Sequence, residues 1–285
     1  MVRRSPETKR IAVFRTILSF ILSVIIAALS VSICFSSNFL DSKNIEKHFN
    51  CYEYTEGVRS NILCFAESRY DKNGLPADEL ENIITFEAVK EAVDNYAGHY
   101  ISARVGFDED AYLKSIEKIT DAVKADIITQ LEVTDQNEDL KAVDKTVKDI
   151  FDYFVGEVAL PGAEHIETLL NIGVPVCYAA AGVCAFFFIF ILLILFFLGE
   201  KRYRSLRAIS ISFFTAGLFE ICLAGIVLII SQIKKFDIYP IYLYNQFMEY
   251  VHSCIGVVIA AGFITIVIGI AIASLTWINK IKGKR

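Results

Sequence analysis

The chain carries no Walker loop, no GxSxG elbow, no HExxH helix, no kinase signature and no glycine-rich dinucleotide loop. Each of these places a nucleophile, a metal or a phosphate cradle at fixed spacing, so the chemistries that depend on them have no foothold here. There is no pair of Cys-x-x-Cys motifs, which excludes a zinc ribbon, and no Asp-x-Asp-x-Asp-Gly loop with a closing Glu, which excludes an EF-hand. Charge is sparse as well. Only 21% of the 285 residues are charged and 54% are hydrophobic, against about 25% and 45–50% in soluble domains. With a mean hydropathy of +0.47, a purely soluble protein is ruled out.

The apolar residues fall into four runs: Thr16 to Phe35, Thr168 to Gly199, Ala208 to Ile233 and Tyr250 to Asn279. Each meets the requirement of about 20 mostly apolar residues for a helix that crosses a bilayer. Backbone groups cannot stay unpaired in lipid, so these runs are expected to be helices. The fold class expected is therefore an all-α integral membrane protein, with four transmembrane helices and an extracytoplasmic helical bundle between helices 1 and 2.

Lys and Arg set the orientation. Arg3, Arg4, Lys9, Arg10 and Arg15 precede the first run; Lys201, Arg202, Arg204 and Arg207 lie between the second and third; Lys280, Lys282, Lys284 and Arg285 end the chain. Four spans put all three groups on one face, and the positive-inside tendency makes that face cytoplasmic. The expected order is a cytoplasmic basic segment (1–15), a first span (16–35), an extracytoplasmic acidic domain (36–167), a second span (168–199), a basic loop (200–207), a third span (208–233), a short outer loop (234–249), a fourth span (250–279) and a cytoplasmic basic tail (280–285). The first run is longer than a signal-peptide core and lacks a small-x-small cleavage site, so it reads as an uncleaved anchor. The charge bias suits a bacterial cytoplasmic membrane.

Residues 36–170 hold 28 acidic and 13 basic residues, a net of −15, which leaves +10 for the rest. Stripes at helical spacing run through Phe86, Val89, Val93, Tyr96 and Tyr100; Leu113, Ile116, Ile119, Val123 and Ile127; Leu140, Val143, Val147, Ile150 and Phe154; and, less regularly, Val58, Ile62, Phe65 and Arg69. Such stripes bury one face of each helix against the others, giving a bundle of about four helices. Breaks are expected at Asn73–Pro76, Gly106, Gln136–Asn137 and Pro161–Gly162. The densest acidic cluster is Asp108, Glu109 and Asp110: a solvated helix start or a surface for a cation or basic partner. An acidic domain repels phosphates, which argues against nucleic acid.

Three further groups stand out. Cys51 and Cys64 could form a disulfide if a turn near Glu56–Gly57 brings them together, since a continuous helix would hold them about 20 Å apart. Glu164, His165 and Glu167 near the start of span two, with Glu249 and His252 near the start of span four, would be interfacial anchors or a metal or proton site. Glu220 lies midway through span three, where an acid costs about 2.5–3.5 kcal/mol on insertion scales. It is expected to face the bundle interior, either in a proton or cation relay or in a hydrogen bond with Ser or Thr hydroxyls of a neighbouring helix. Pro175 is expected to bend span two, and Ala179 to Gly182 with Gly256, Ala260, Ala261, Gly262, Gly269 and Ala273 provide faces for close packing or for a dimer.

The cytoplasmic segments are too short for a catalytic domain, so no enzyme is expected, nor any cofactor. A helical domain between two spans is similar to bacterial chemoreceptor sensors, without their cytoplasmic signalling helices. The order of one span, a large outer domain and three spans is similar to FtsX-like permeases, which work with an ATPase. These likenesses imply either an outer module that binds a ligand or partner protein, or a transport subunit. The partners expected are the lipid bilayer and another protein or a second copy.

Overall fold

The computed structural model describes residues 6–101, 110–131, 137–159, 163–197, 202–233 and 239–282. Among them every regular element is helical and no strand occurs. In chain order these are α1 (Pro6–Cys34), a π-helical turn (Phe35–Phe39), α2 (Ser42–Phe49), α3 (Tyr52–Lys72), α4 (Leu80–Ile83), α5 (Phe86–Tyr100), α6 (Ala111–Gln130), α7 (Asn137–Val158), α8 (Ala163–Phe197), α9 (Arg202–Ile233) and α10 (Ile241–Lys282). Four stretches are long and apolar enough to cross a membrane: Arg10–Phe39, Thr168–Phe197, Tyr203–Gln232 and Ile241–Ile278. Each contains most or all of one apolar run, and α10 begins well ahead of the uncharged stretch. α8 continues unbroken through Pro175.

The chain divides into two units. The first comprises residues 1–41, 171–237 and 248–285. Its core joins Leu18, Leu22, Ile26 and Ala27 of α1 to Ile191 and Leu195 of α8 and to Ala208, Ile209 and Ala216 of α9. α1 and α9 run parallel, since Ser19 meets Ser212 and, further along both helices, Ser30 meets Glu220. α9 and α10 run antiparallel and touch through glycine. A Cβ on Gly217 would sit 2.4 Å from the Gly262 carbonyl oxygen, and one on Gly269 would sit 2.9 Å from the Phe214 amide nitrogen. Without lateral hydrophobic pressure in lipid, helices associate by such close backbone packing. The other faces carry large exposed apolar side chains such as Phe186, Phe190, Ile226 and Phe263.

The second unit comprises residues 42–170 and 238–247. All four expected stripes are helical, and each buries members of its apolar series: Val58 and Ile62 on α3, Val89, Val93 and Tyr96 on α5, Ile116, Ile119, Val123 and Ile127 on α6, Val143, Ile150 and Phe154 on α7. Arg69, the polar member of its stripe, lies over the Phe65 ring at 4.9 Å and pairs with Asp149 at 3.2 Å. The expected break after α3 is a Schellman turn: Leu75 N–H donates to the Tyr70 carbonyl, Gly74 N–H donates to the Asp71 carbonyl, and Gly74 takes φ +69°. α5 starts where the Thr85 hydroxyl accepts from Ala88 N–H. α2 and α4 are additions to the expected set, and Leu80 of α4 and the following Ile84 are fully buried.

One expectation is corrected. α3 runs without a turn through Glu56 and Gly57, with Cys51 at its N-cap and Cys64 well inside it, so the two cysteines are free thiols. Gly57 serves packing instead: a Cβ there would lie 2.4 Å from Cγ of Tyr242 in the same unit.

Candidate functional site

Hydroxyl groups line the meeting of α1 and α9. Ser19 and Ser212 lie 2.8 Å apart; Ser19 Oγ also reaches the Ala208 carbonyl at 2.9 Å, and Ser212 Oγ the Ser19 carbonyl at 2.7 Å. Both serines are buried. Ser205 Oγ donates to the Leu195 carbonyl of α8, and Ser210 Oγ to the Gly269 carbonyl of α10. A serine raises the polarity of a span too little to interrupt an apolar run, yet each satisfies its donor within the protein rather than facing lipid.

Glu220 sits further along this seam. It is fully buried, and Ser30 Oγ donates to its Oε2 at 3.1 Å. Its other oxygen, Oε1, is buried and has no hydrogen-bond partner among the described residues. The interior position and the serine donor expected from the sequence are both present, but they satisfy one oxygen of two. An unpaired buried carboxyl oxygen forfeits about 1–3 kcal/mol or more, so it is a place where a proton or a donor from outside the chain gains most. α10 leaves room at this level because residue 262 is glycine: a Cβ there would already be 3.3 Å from Glu220 Cβ.

The same unit holds a cavity of about 310 Å³, lined by Val31, Cys34, Phe35 and Phe39 of α1 and its π turn, Leu223, Ala224 and Val227 of α9, and Val251, Cys254, Ile255 and Val258 of α10; Glu220 is not among the lining residues. Its lining is apolar apart from the two thiols. The π turn shapes one wall: Leu40 N–H closes the wider turn onto the Phe35 carbonyl, Phe35 and Phe39 stack at 4.4 Å, and the Tyr250 hydroxyl donates to the Phe39 carbonyl.

The second unit has its own polar cluster. Glu157 Oε1 accepts from Asn61 Nδ2 and from the Tyr242 hydroxyl, both at 2.6 Å, and Tyr54 meets the Tyr242 ring edge-on at 5.5 Å. Through it the first residues of α10 are held against α3 and α7. Burial, and secondarily the negative charge of Glu157, pushes the Tyr153 phenol above its ordinary range. Burial likewise raises Tyr54, and Tyr70 is raised by burial and by its hydrogen bond to Asp126. Cys51 is also pushed up, chiefly by burial.

The chain matches no family model, no curated protein and no solved structure.

Glu249 and His252 are exposed on α10. Glu164, His165 and Glu167 belong to the first turns of α8, but their side chains lie outside the described residues, as do Asp108 and Glu109 altogether. Asp110 is the N-cap residue of α6 and makes no side-chain capping bond. Among the described residues no group of three or more His, Cys, Asp and Glu side chains is placed to hold a metal ion. The serine seam and the Glu157 cluster were missed from sequence. The only local trace of the seam is the spacing of Ser19, Ser23 and Ser30 along α1 and of Ser205 and Ser212 along α9.

Proposed function

We propose that this is a multi-pass membrane protein whose second unit stands outside the cytoplasm and binds a ligand or partner protein, the spans serving as its anchor and as the conduit of its state. The observation that carries this reading is the contrast within one chain. The second unit has a water-type architecture, with its own buried core and 27 acidic against 13 basic residues, an excess of 14 negative charges. The four apolar helices expose large hydrophobic side chains. Residues 241–247 of α10 belong to the second unit, where the Tyr242 hydroxyl donates to Glu157, and the rest of that helix belongs to the first.

Cys64 provides the test, being exposed on α3. A membrane-impermeant maleimide should label it in right-side-out vesicles and not in sealed inside-out ones; the reverse pattern rejects the outer placement. Co-purification from detergent extract then separates the roles, with envelope or external proteins expected for a binding module.

The unbonded Glu220 oxygen favours a second reading, a permease-like transport subunit with Glu220 as an intramembrane proton or cation site. Co-purification of an ATPase supports that reading over the first.

A further inference from the structure

The polar seam between α1 and α9 ends on a cation. Arg15 precedes Ser19 by one turn on α1, on the face that carries Leu22 and Ile26 into the core. Its Nε is buried without a hydrogen-bond partner, and no ion pair or other hydrogen bond neutralises the guanidinium among the described residues. The residue as a whole is only half-buried, so its outer nitrogens are open. On α9, Arg204 precedes by one turn Ala208, whose carbonyl accepts from Ser19. Because the two helices run parallel, Arg15 and Arg204 stand at one level of the seam. Helical side chains lean toward the helix N-terminus, so both reach toward the same end of the first unit.

That end collects charge of one sign. The starts of α1 and α9 lie there together with the end of antiparallel α10, and these helix ends carry Arg10, Arg15, Arg204, Arg207, Lys280 and Lys282. The acids nearest to them in sequence are Glu7 on α1 and Glu200 ahead of α9. The uncharged run Thr16 to Phe35 begins at the residue after Arg15, which puts Arg15 where hydrocarbon gives way to head groups. A half-buried guanidinium at that depth calls for an anion with several acceptor oxygens at the same depth. A phosphodiester head group is such an anion, and guanidinium meets it through paired N–H donors. A zwitterionic head group would add its own cation to this basic end, so a net negative one fits better. Basic pockets between spans bind anionic head groups on these grounds.

We propose that the basic end of the first unit holds an anionic phospholipid, its phosphate on the guanidinium of Arg15 beside Arg204 and its chains along the spans. The assignment concerns the first unit alone. It depends neither on what the second unit binds nor on which leaflet this end meets.

Native mass spectrometry of the full-length protein in detergent counts the lipid that stays bound. Dioleoylphosphatidylglycerol and dioleoylphosphatidylcholine are titrated as probes alike in chain and different in head group, with inorganic phosphate as competitor. Phosphatidylglycerol is expected to be retained at a concentration at least about ten-fold lower than phosphatidylcholine, and phosphate should not displace it. Arg15→Gln and the exposed Arg207→Gln each remove one charge from the same end. Arg15→Gln should weaken phosphatidylglycerol retention about 20-fold or more, as the loss of charge-assisted hydrogen bonds requires. Arg207→Gln should weaken it about five-fold at most, the share of one cation in the general field. Equal retention of the two lipids would overturn the proposal, and equal losses in the two variants would replace the site by a diffuse basic surface. Displacement of the lipid by inorganic phosphate would mark a site for soluble phosphate and overturn it as well. Should Arg15→Gln not fold, Arg15→Lys and Arg207→Lys take the place of the pair: both keep the charge, and a loss confined to Arg15→Lys is expected, since only there does the planar fork bind phosphate; no difference between them would overturn the proposal.

Discussion

Replacing Gly217 by alanine tests the packing that holds α9 to α10. The added Cβ would lie 2.4 Å from the Gly262 carbonyl oxygen, 2.7 Å from Ile266 Cγ1 and 3.0 Å from the Ile266 amide nitrogen. Two of these three neighbours are backbone atoms, so no rotamer change relieves the overlap and the two helices must part by about half an ångström or more. Overpacking of this kind costs about 1–3 kcal/mol. Alanine also favours the helix over glycine by up to about 1 kcal/mol, which would mask part of the loss. Gly225 removes that ambiguity: it lies on the same helix, and a Cβ there meets nothing within 4 Å. The difference between Gly217→Ala and Gly225→Ala therefore isolates the clash, with an expected gap of about 1–3 kcal/mol, or roughly 5–150-fold in the unfolding equilibrium. It can be read by titrating dodecyl sulfate into dodecyl maltoside micelles and following helicity together with the fluorescence of Trp277, the single tryptophan. Gly269→Ala, whose closest approach is 2.9 Å, should fall between the two. Equal midpoints for Gly217→Ala and Gly225→Ala would refute the close crossing of α9 and α10.

Further outcomes follow from the same contacts. In the second unit Tyr54 and Tyr70 are buried phenols held above their ordinary pKa. The unfolded chain ionises near pH 10 while the folded chain keeps these protons, so stability is present below about pH 10 and falls as pH rises past it. Tyr70→Phe should flatten that alkaline decline and cost about 1–3 kcal/mol at neutral pH through the bond lost to Asp126, as measured by urea unfolding across pH. Ser19→Ala and Ser212→Ala should each weaken the α1–α9 pairing modestly, and a double-mutant cycle should return a coupling of about 0.6 kcal/mol, up to about 1.7; zero coupling would mean the two hydroxyls do not share a bond. Gly57→Ala should displace the Tyr242 ring and destabilise the protein by about 1–3 kcal/mol, with Tyr242→Ala relieving part of that cost in thermal unfolding of the double variant. Thiol titration under non-reducing, denaturing conditions should find both Cys51 and Cys64 free, and reduction should leave migration unchanged.

How much of this was legible in the sequence depended on whether the signal was local. The four spans and the stripes of α3, α5, α6 and α7 rest on hydropathy and on a period of three to four residues, and the helices follow them. The break at Asn73–Pro76 was readable because Gly74 adopts the positive φ that ends a helix. Eight-residue α2 and four-residue α4 were not, being too short for a period to repeat. Glu220 was conspicuous as the one charge in its run, and its burial follows from the cost of exposing an acid to lipid. Its partner Ser30 lies 190 residues away in sequence, and no local rule selects that serine from the others of span one.

Glycine shows most sharply where a one-dimensional reading stops. Gly57 looks like a turn between Cys51 and Cys64, which is why a disulfide there was plausible, yet it lies inside α3 and its missing side chain admits the Tyr242 ring. Gly217, Gly262 and Gly269 look like the generic small residues of a membrane span, yet each stands where a Cβ would strike backbone of the opposing helix. Gly182 and Gly256 look the same in sequence and face open space. The residue type states only that something could approach closely; what approaches is fixed by segments distant in the chain. The same limit governs the candidate site, because a carboxyl group with one oxygen bonded and the other orphaned becomes visible only when α1, α9 and α10 are brought together around it.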